Sequence, residues 1–211
     1  LMGYFYRLNY SYNDRYLLEF NGRYDGTSRF PKDSRFGFFP SFSAAWRISN
    51  EKFMEGTRGV LDNLKLRASY GVLGNQAVQS YYPYISTMEI AQSNYIMNGS
   101  GYTTVIKNPG LVSPSLTWES VATTNFGLDI SILNQKLDVS FDIYERRTTD
   151  MLMSVTYPST LGITAPQENG ADLITRGWEL AVKWRDNIGC DFNYDVTLSL
   201  SDYQAEITKY N

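Results

Sequence analysis

The chain has 211 residues, with 17 Tyr, 11 Phe, 4 Trp, one Cys, no His and a formal net charge of −3. That balance argues against nucleic acid as a partner, since nothing would neutralise phosphates. Without His and with Cys190 alone, the usual ligands of zinc, copper or haem are missing. Ser-His-Asp and Cys-His nucleophilic sites cannot be assembled and no internal disulfide forms, so no metal, cofactor or enzymatic activity is expected.

Apolar and polar residues alternate with period two along eight segments, the signature of half-buried β-strands. In the first, Tyr4, Tyr6, Leu8, Tyr10 and Tyr12 share a face opposite Arg7, Asn9 and Ser11. After Asn13-Asp14, the second sets Tyr16, Leu18, Phe20 and Tyr24 against Glu19, Asn21, Arg23 and Asp25. The third carries Phe36, Phe38, Phe42, Ala44, Trp46 and Ile48, and the fourth Leu64, Leu66, Ala68, Tyr70 and Val72. In the fifth, Trp118, Ala122, Phe126, Leu128, Ile130 and Ile132 oppose Glu119, Thr123, Asn125, Asp129 and Ser131. The sixth places Leu137, Val139, Phe141 and Ile143 opposite Asp138, Ser140 and Asp142. The last two carry Trp178, Leu180, Val182 and Trp184, then Phe192, Tyr194, Val196, Leu198 and Leu200.

The connections also alternate. Those at 13–14, 133–135 and 186–189 are short, whereas 26–35, 73–116 and 151–172 are long and rich in Gly, Ser, Asn, Pro and Tyr. The link 49–62 falls on the short side and reads as a brief helix, with Ser49 as N-cap and Glu51 in its first turn. No apolar run of about 18 residues is available for a transmembrane helix. The mean hydropathy of −0.34 does not bear on a barrel, whose apolar positions alternate with polar ones. No signal segment precedes Leu1, so the chain is expected to be an interior piece of a longer envelope protein.

Two architectures fit this pattern. A soluble β-sandwich that binds carbohydrate through its loops also alternates apolar and polar positions. A transmembrane barrel accounts better for strands near ten residues long, Tyr and Trp at strand ends, and loop lengths segregated by end.

Specific strings then point further. Residues 28–49 (SRFPKDSRFGFFPSFSAAWRIS), 64–75 (LKLRASYGVLGN), 116–119 (LTWE), 123–152 and 168–180 (ENGADLITRGWEL) occur in the order found in one family. The chain resembles the barrel of SusC/RagA-type TonB-dependent transporters over nearly its whole length. The resemblance implies an all-β, antiparallel up-and-down transmembrane β-barrel segment of the bacterial outer membrane. On this reading residues 1–211 form part of a single transporter barrel domain, about eight strands of a plugged barrel of about 22. The family also implies import of a glycan, oligosaccharide or peptide, with a SusD-like surface lipoprotein as lid. The TonB complex would act through a plug region outside this chain, and outer-membrane lipid would surround the wall.

The candidate contact residues for substrate or lid protein are Tyr81, Tyr82, Tyr84, Tyr95 and Tyr102. Loop aromatics of this kind stack on sugar rings or peptide side chains, or pack a loop against itself or its lid. Asp138, Asp142, Glu119 and Asp129 share an inferred face. Paired carboxylates perform glycoside hydrolysis when suitably spaced, but a wet lumen balanced by Arg7, Arg23, Arg47, Arg67, Lys183 and Arg185 does not tune an acid for it. Gly71-Val72-Leu73-Gly74 lacks the helix a phosphate loop requires. Glu145-Arg146-Arg147 reads as a solvated strand end.

Overall fold

Long stretches of alternating residues with β-branched and aromatic side chains pair most readily with their sequence neighbours, because short turns hold adjacent strands together. The computed structural model describes residues 1–57, 59–78, 81–96, 102–154, 158, 160, 162, 165–189 and 192–210, with backbone alone for 94–96 and 102. Its strands are β1 Met2–Tyr12, β2 Tyr16–Gly26, β3 Phe36–Arg47, β4 Leu61–Asn75, β5 Ile90–Ile96, β6 Tyr102–Ile106, β7 Glu119–Ile132, β8 Leu137–Ser154, β9 Gln167–Ile188 and β10 Phe192–Tyr210. Eight of them form one sheet in the order β1-β2-β3-β4-β7-β8-β9-β10, each antiparallel to its neighbours. A sandwich needs a second sheet facing the first, and the other sheet among the described residues is the small β5–β6 hairpin. The wall is therefore a single up-and-down layer.

This order sends 13–15, 48–60, 133–136 and 189–191 to one end and 27–35, 76–118 and 155–166 to the other. The tight turns use left-handed backbone at Asn13 (φ 50), Asp14 (φ 53), Leu133 (φ 60), Asn134 (φ 56), Gln135 (φ 62) and Gly189 (φ 68), of which Asn, Asp and Gly tolerate it most readily. The link at 48–60 forms two 3-10 segments, Ile48–Asn50 and Lys52–Thr57, rather than one capped helix. Ser49 caps nothing: it lies inside the first segment, with its buried Oγ unpaired. Glu51 instead turns its carboxylate to the sheet, where it accepts hydrogen bonds from Tyr16 Oη at 2.8 Å and Trp46 Nε1 at 3.1 Å.

Register fixes the two faces, since directly paired residues point the same way. One unbroken row runs Tyr12, Tyr16, Trp46, Leu66, Leu128, Phe141, Leu180 and Leu200 across all eight strands. These apolar side chains are largely uncovered; Phe20, Phe38, Leu66, Phe126, Ile143 and Leu198 are all exposed. An exposed apolar band spanning a whole sheet marks contact with lipid. The band runs obliquely to the pair rows. At the short-turn end it stops at Tyr12, Tyr16 and Trp46 on the first strands, but at Ile132, Leu137, Trp184 and Val196 on the later ones. Strands tilted across a bilayer give that offset.

Three boundaries differ from the sequence reading. β8 runs on to Ser154 and β9 begins at Gln167, so 151–154 and 167–172 are strand rising beyond the band. Likewise β10 continues to Tyr210. Within 73–116 the chain forms the β5–β6 hairpin.

Candidate functional site

The face opposite the lipid band is polar, and several of its charges are paired across strands. Arg67 on β4 donates from Nε to Asp129 Oδ2 (2.8 Å) and from Nη2 to Asp129 Oδ1 (3.0 Å), then reaches Asp142 Oδ2 on β8 (2.9 Å). Asn125 Nδ2 donates to Asp142 Oδ1 at 2.8 Å, and Ser140 Oγ to Asp129 Oδ1 at 2.9 Å. Gly127 makes this crossing possible: a Cβ there would lie 2.5 Å from Asp142 Oδ1 and 2.6 Å from Arg67 Cζ. Nearer the short turns, Arg185 pairs with Asp138, and Lys183 with Asp195 at 3.0 Å. Toward the long loops, Arg23 pairs with Asp25 at 2.6 Å, and Arg7 Nε donates to Asn21.

The sequence therefore located Asp129, Asp138 and Asp142 on one face correctly. Each of the three is held by a guanidinium. Glu119, at the top of β7, accepts from Asn75 Nδ2 (3.1 Å) and from the Leu152 backbone N–H (3.0 Å). These four carboxylates brace the wall.

The strongest packing lies under the long loops. Phe30 and Leu116 are fully buried, and with Val78 and Trp118 they form a core against Phe39 and Leu152. The Phe30 and Phe39 rings meet Trp118 edge-on at 5.4 and 5.3 Å. Phe39 fits because Gly74 leaves room for its ring, 2.0 Å from where a Cβ would stand. Asn169 ties the same region together: its side chain accepts from the Thr117 N–H (2.9 Å) and donates to the carbonyls of Thr117 and Asp150 (3.1 and 2.7 Å). Strings far apart in sequence, SRF, LTWE, ENG and the Gly74-Asn75 pair, thus converge on one joint between loops and wall. Trp118, expected in an interfacial girdle, is drawn into this joint instead, because β7 begins only at Glu119. Girdle positions are held by Tyr12, Tyr16, Trp46 and Trp184 at the short-turn margin and by Tyr4, Tyr24 and Trp178 at the other.

Beside the joint, the polar face opens into a groove of about 780 Å³ bordered by Phe5, Arg7, Arg23, Phe39, Leu73 and Trp118. Phe5 and Leu73 are 85% and 70% exposed. Sequence reasoning did not single these residues out; the only cue is an apolar residue standing on the polar parity of its strand.

The tyrosines of 76–118 take different positions. The exposed Tyr81 ring receives the Arg29 guanidinium at 5.2 Å from its centroid. Tyr84 accepts from Arg35 Nη2 (3.3 Å) and donates to the Ser28 carbonyl (3.4 Å), so it docks this segment on 27–35. Tyr82 is exposed. The side chains of Tyr95 and Tyr102 lie outside the described residues.

Comparison with known proteins agrees with this geometry. The family model described as TonB dependent receptor-like, beta-barrel, matches residues 2–211. TonB-dependent receptor SusC of Bacteroides thetaiotaomicron is 37% identical over 214 residues, covering 99% of this chain and 21% of that protein. TonB-dependent receptor P26 of Formosa agariphila is 36% identical over 212 residues, covering 98% of this chain and 20% of that protein. The RagAB peptide importer in its closed-closed state superposes with a TM-score of 0.85 at 28% identity, covering 98% of this chain and 22% of that one. The chain thus spans about a fifth of the length of the curated relatives it matches.

Proposed function

This chain belongs to the TonB-dependent receptor-like β-barrel family of the bacterial outer membrane, and from that premise we propose that it is a stretch of wall in a nutrient importer. The single observation that carries the proposal is the two-faced sheet. One side presents an apolar band to lipid, and the other a braced polar lining with a groove at the long-loop, extracellular end. A wall so built separates membrane from a wet path and does no chemistry itself.

The cargo is a glycan or a peptide, captured with a SusD-like surface lipoprotein, and the TonB complex supplies the energy through a plug region outside this chain. Support for the lid comes from the kind of relative matched, SusC and the RagAB importer. The capture surface we assign to 76–118, with Tyr81, Tyr82, Tyr84, Tyr95 and Tyr102 as contact residues. Of these, Tyr81 and Tyr82 are the exposed ones whose side chains are described.

Excising 88–108, which removes the β5–β6 hairpin, tests this reading. Among the described residues the strands of the hairpin pair with each other and with no strand of the wall, so its loss removes no strand pairing from the wall and little loop-closure entropy. The full-length transporter should still fold to a heat-resistant barrel while growth on its nutrient, or co-purification of the lid lipoprotein, falls. Unchanged growth and unchanged co-purification would remove this segment from capture.

A further inference from the structure

On the outward face of β8 and β9 the apolar band ends at Ile143 and Trp178, which pair directly. The next outward pair toward the extracellular end is Glu145 with Arg176, followed by Arg147 with Ile174. Glu145-Arg146-Arg147 is not a strand end, because β8 continues to Ser154. Its outer charges stand where the lipid leaflet changes from hydrocarbon to headgroup.

Glu145 holds both arginines at once. Arg147 Nε donates to Oε1 at 2.7 Å and Arg176 Nε to Oε2 at 2.6 Å. Asp202 and Glu206 on β10 also share this outward face, opposite Trp178 and Ile174, and neither is ion-paired to an arginine here. Both arginines bond through Nε alone, and neither has another polar partner among the described residues. Their terminal nitrogens remain available, with the side chains 58% and 61% exposed. Two forks fixed by a common anchor match the oxygens of a phosphate.

Directly inward of Glu145 lies a second feature of the same face. An apolar groove of about 510 Å³ begins at Ile143 and Phe126 and runs past Ala68 and Ala44 toward Leu66 and Trp46. The two alanines, paired across β3 and β4, make the dent. A free anion has no use for such a groove, whereas an acyl chain fills it.

We propose that Arg147 and Arg176 bind the phosphate of an outer-leaflet lipid whose acyl chain lies in the groove below. The site belongs to the outer surface of the wall and is independent of the cargo reading. To test it, the full-length transporter is purified and exposed to detergent micelles containing phosphorylated lipid A or its dephosphorylated form. A third arm offers inorganic phosphate alone, and native mass spectrometry reads bound lipid. Phosphorylated lipid A should be retained roughly tenfold better than the dephosphorylated form, the preference expected from losing a bidentate charged contact. R147Q/R176Q should abolish the preference while R146Q, on the same strand but facing the lumen, keeps it. Equal retention of both lipids by the unmodified protein overturns the proposal even if the double variant fails to fold. Competition by millimolar inorganic phosphate, or an unchanged preference in a folded R147Q/R176Q, overturns it as well.

Discussion

Arg67 lies across the bare backbone of Gly127, and that contact lets a side chain on β4 reach Asp142 two strands away. One guanidinium thereby clamps β4, β7 and β8 through two partly buried carboxylates. Gly127→Ala should displace the clamp and leave both acids without their cation, lowering stability by about 1–3 kcal/mol, the usual loss for a charged hydrogen bond left unmade. Arg67→Lys should rescue little, because a point charge cannot fork between Asp129 and Asp142. The midpoint of heat-induced unfolding, read by gel mobility, measures both. Midpoints equal to wild type would show that the clamp is incidental.

The two faces predict opposite tolerances. Phe141 sits within the lipid band and Glu179 on the lumen side, on paired strands. Phe141→Arg should destabilise the barrel by roughly 2–4 kcal/mol, whereas Glu179→Arg, on the lumen side, should be tolerated. Folding yield into lipid vesicles separates them, and equal yields would mean that the faces are wrongly assigned.

At the periplasmic margin, hydrogen bonds from Tyr16 and then Trp46 hold the Glu51 carboxyl below its ordinary range. A folded pKa below the unfolded one stabilises the native state above the unfolded value and ceases to do so as pH falls through the folded value. Wild type should therefore lose more stability than Glu51→Gln between pH 7 and an acid pH below the ordinary carboxylate range. Thermal midpoints at the two pH values check this. A gap between the proteins that does not narrow in acid would leave the Glu51 charge without a role.

Removing the Phe30 side chain should cost about 3–5 kcal/mol locally, since the ring is fully buried against Trp118 and Leu116. The lipid band does not share this core, so the barrel should assemble while 27–35 and 76–118 become open to protease. Protease resistance equal to wild type would show that Phe30 is not the keystone of the joint.

The period-two pattern exposed both faces in the sequence because side-chain direction in a strand follows parity alone. Leu128, Ile130, Val139 and Phe141 needed no other information. Parity failed at Trp118, where the strand had not yet begun and packing with Phe30 and Phe39 decided direction. The capped-helix reading failed at Glu51, whose partners Tyr16 and Trp46 sit on neighbouring strands, Tyr16 at long sequence separation. The Arg67 clamp was half legible: its charges were visible, but which carboxylate each cation takes depends on inter-strand register and on the missing side chain of Gly127. The β5–β6 hairpin escaped notice because polar, Gly-bracketed residues carry no alternation against a buried face. The groove at Phe5 and Leu73 was the least readable feature, since each breaks the pattern of its own strand.

Spin labels at two adjacent residues test the central claim most directly. With Cys190 replaced by Ala, single cysteines at Leu180 and Glu179 are labelled in the full-length transporter within outer-membrane lipid. Relaxation is then compared for lipid-soluble oxygen and a water-soluble nickel chelate. A lipid-facing Leu180 and a lumen-facing Glu179 predict that oxygen dominates at 180 and nickel at 179. Reversed or indistinguishable accessibilities would contradict the account of this sheet as a wall between membrane and lumen.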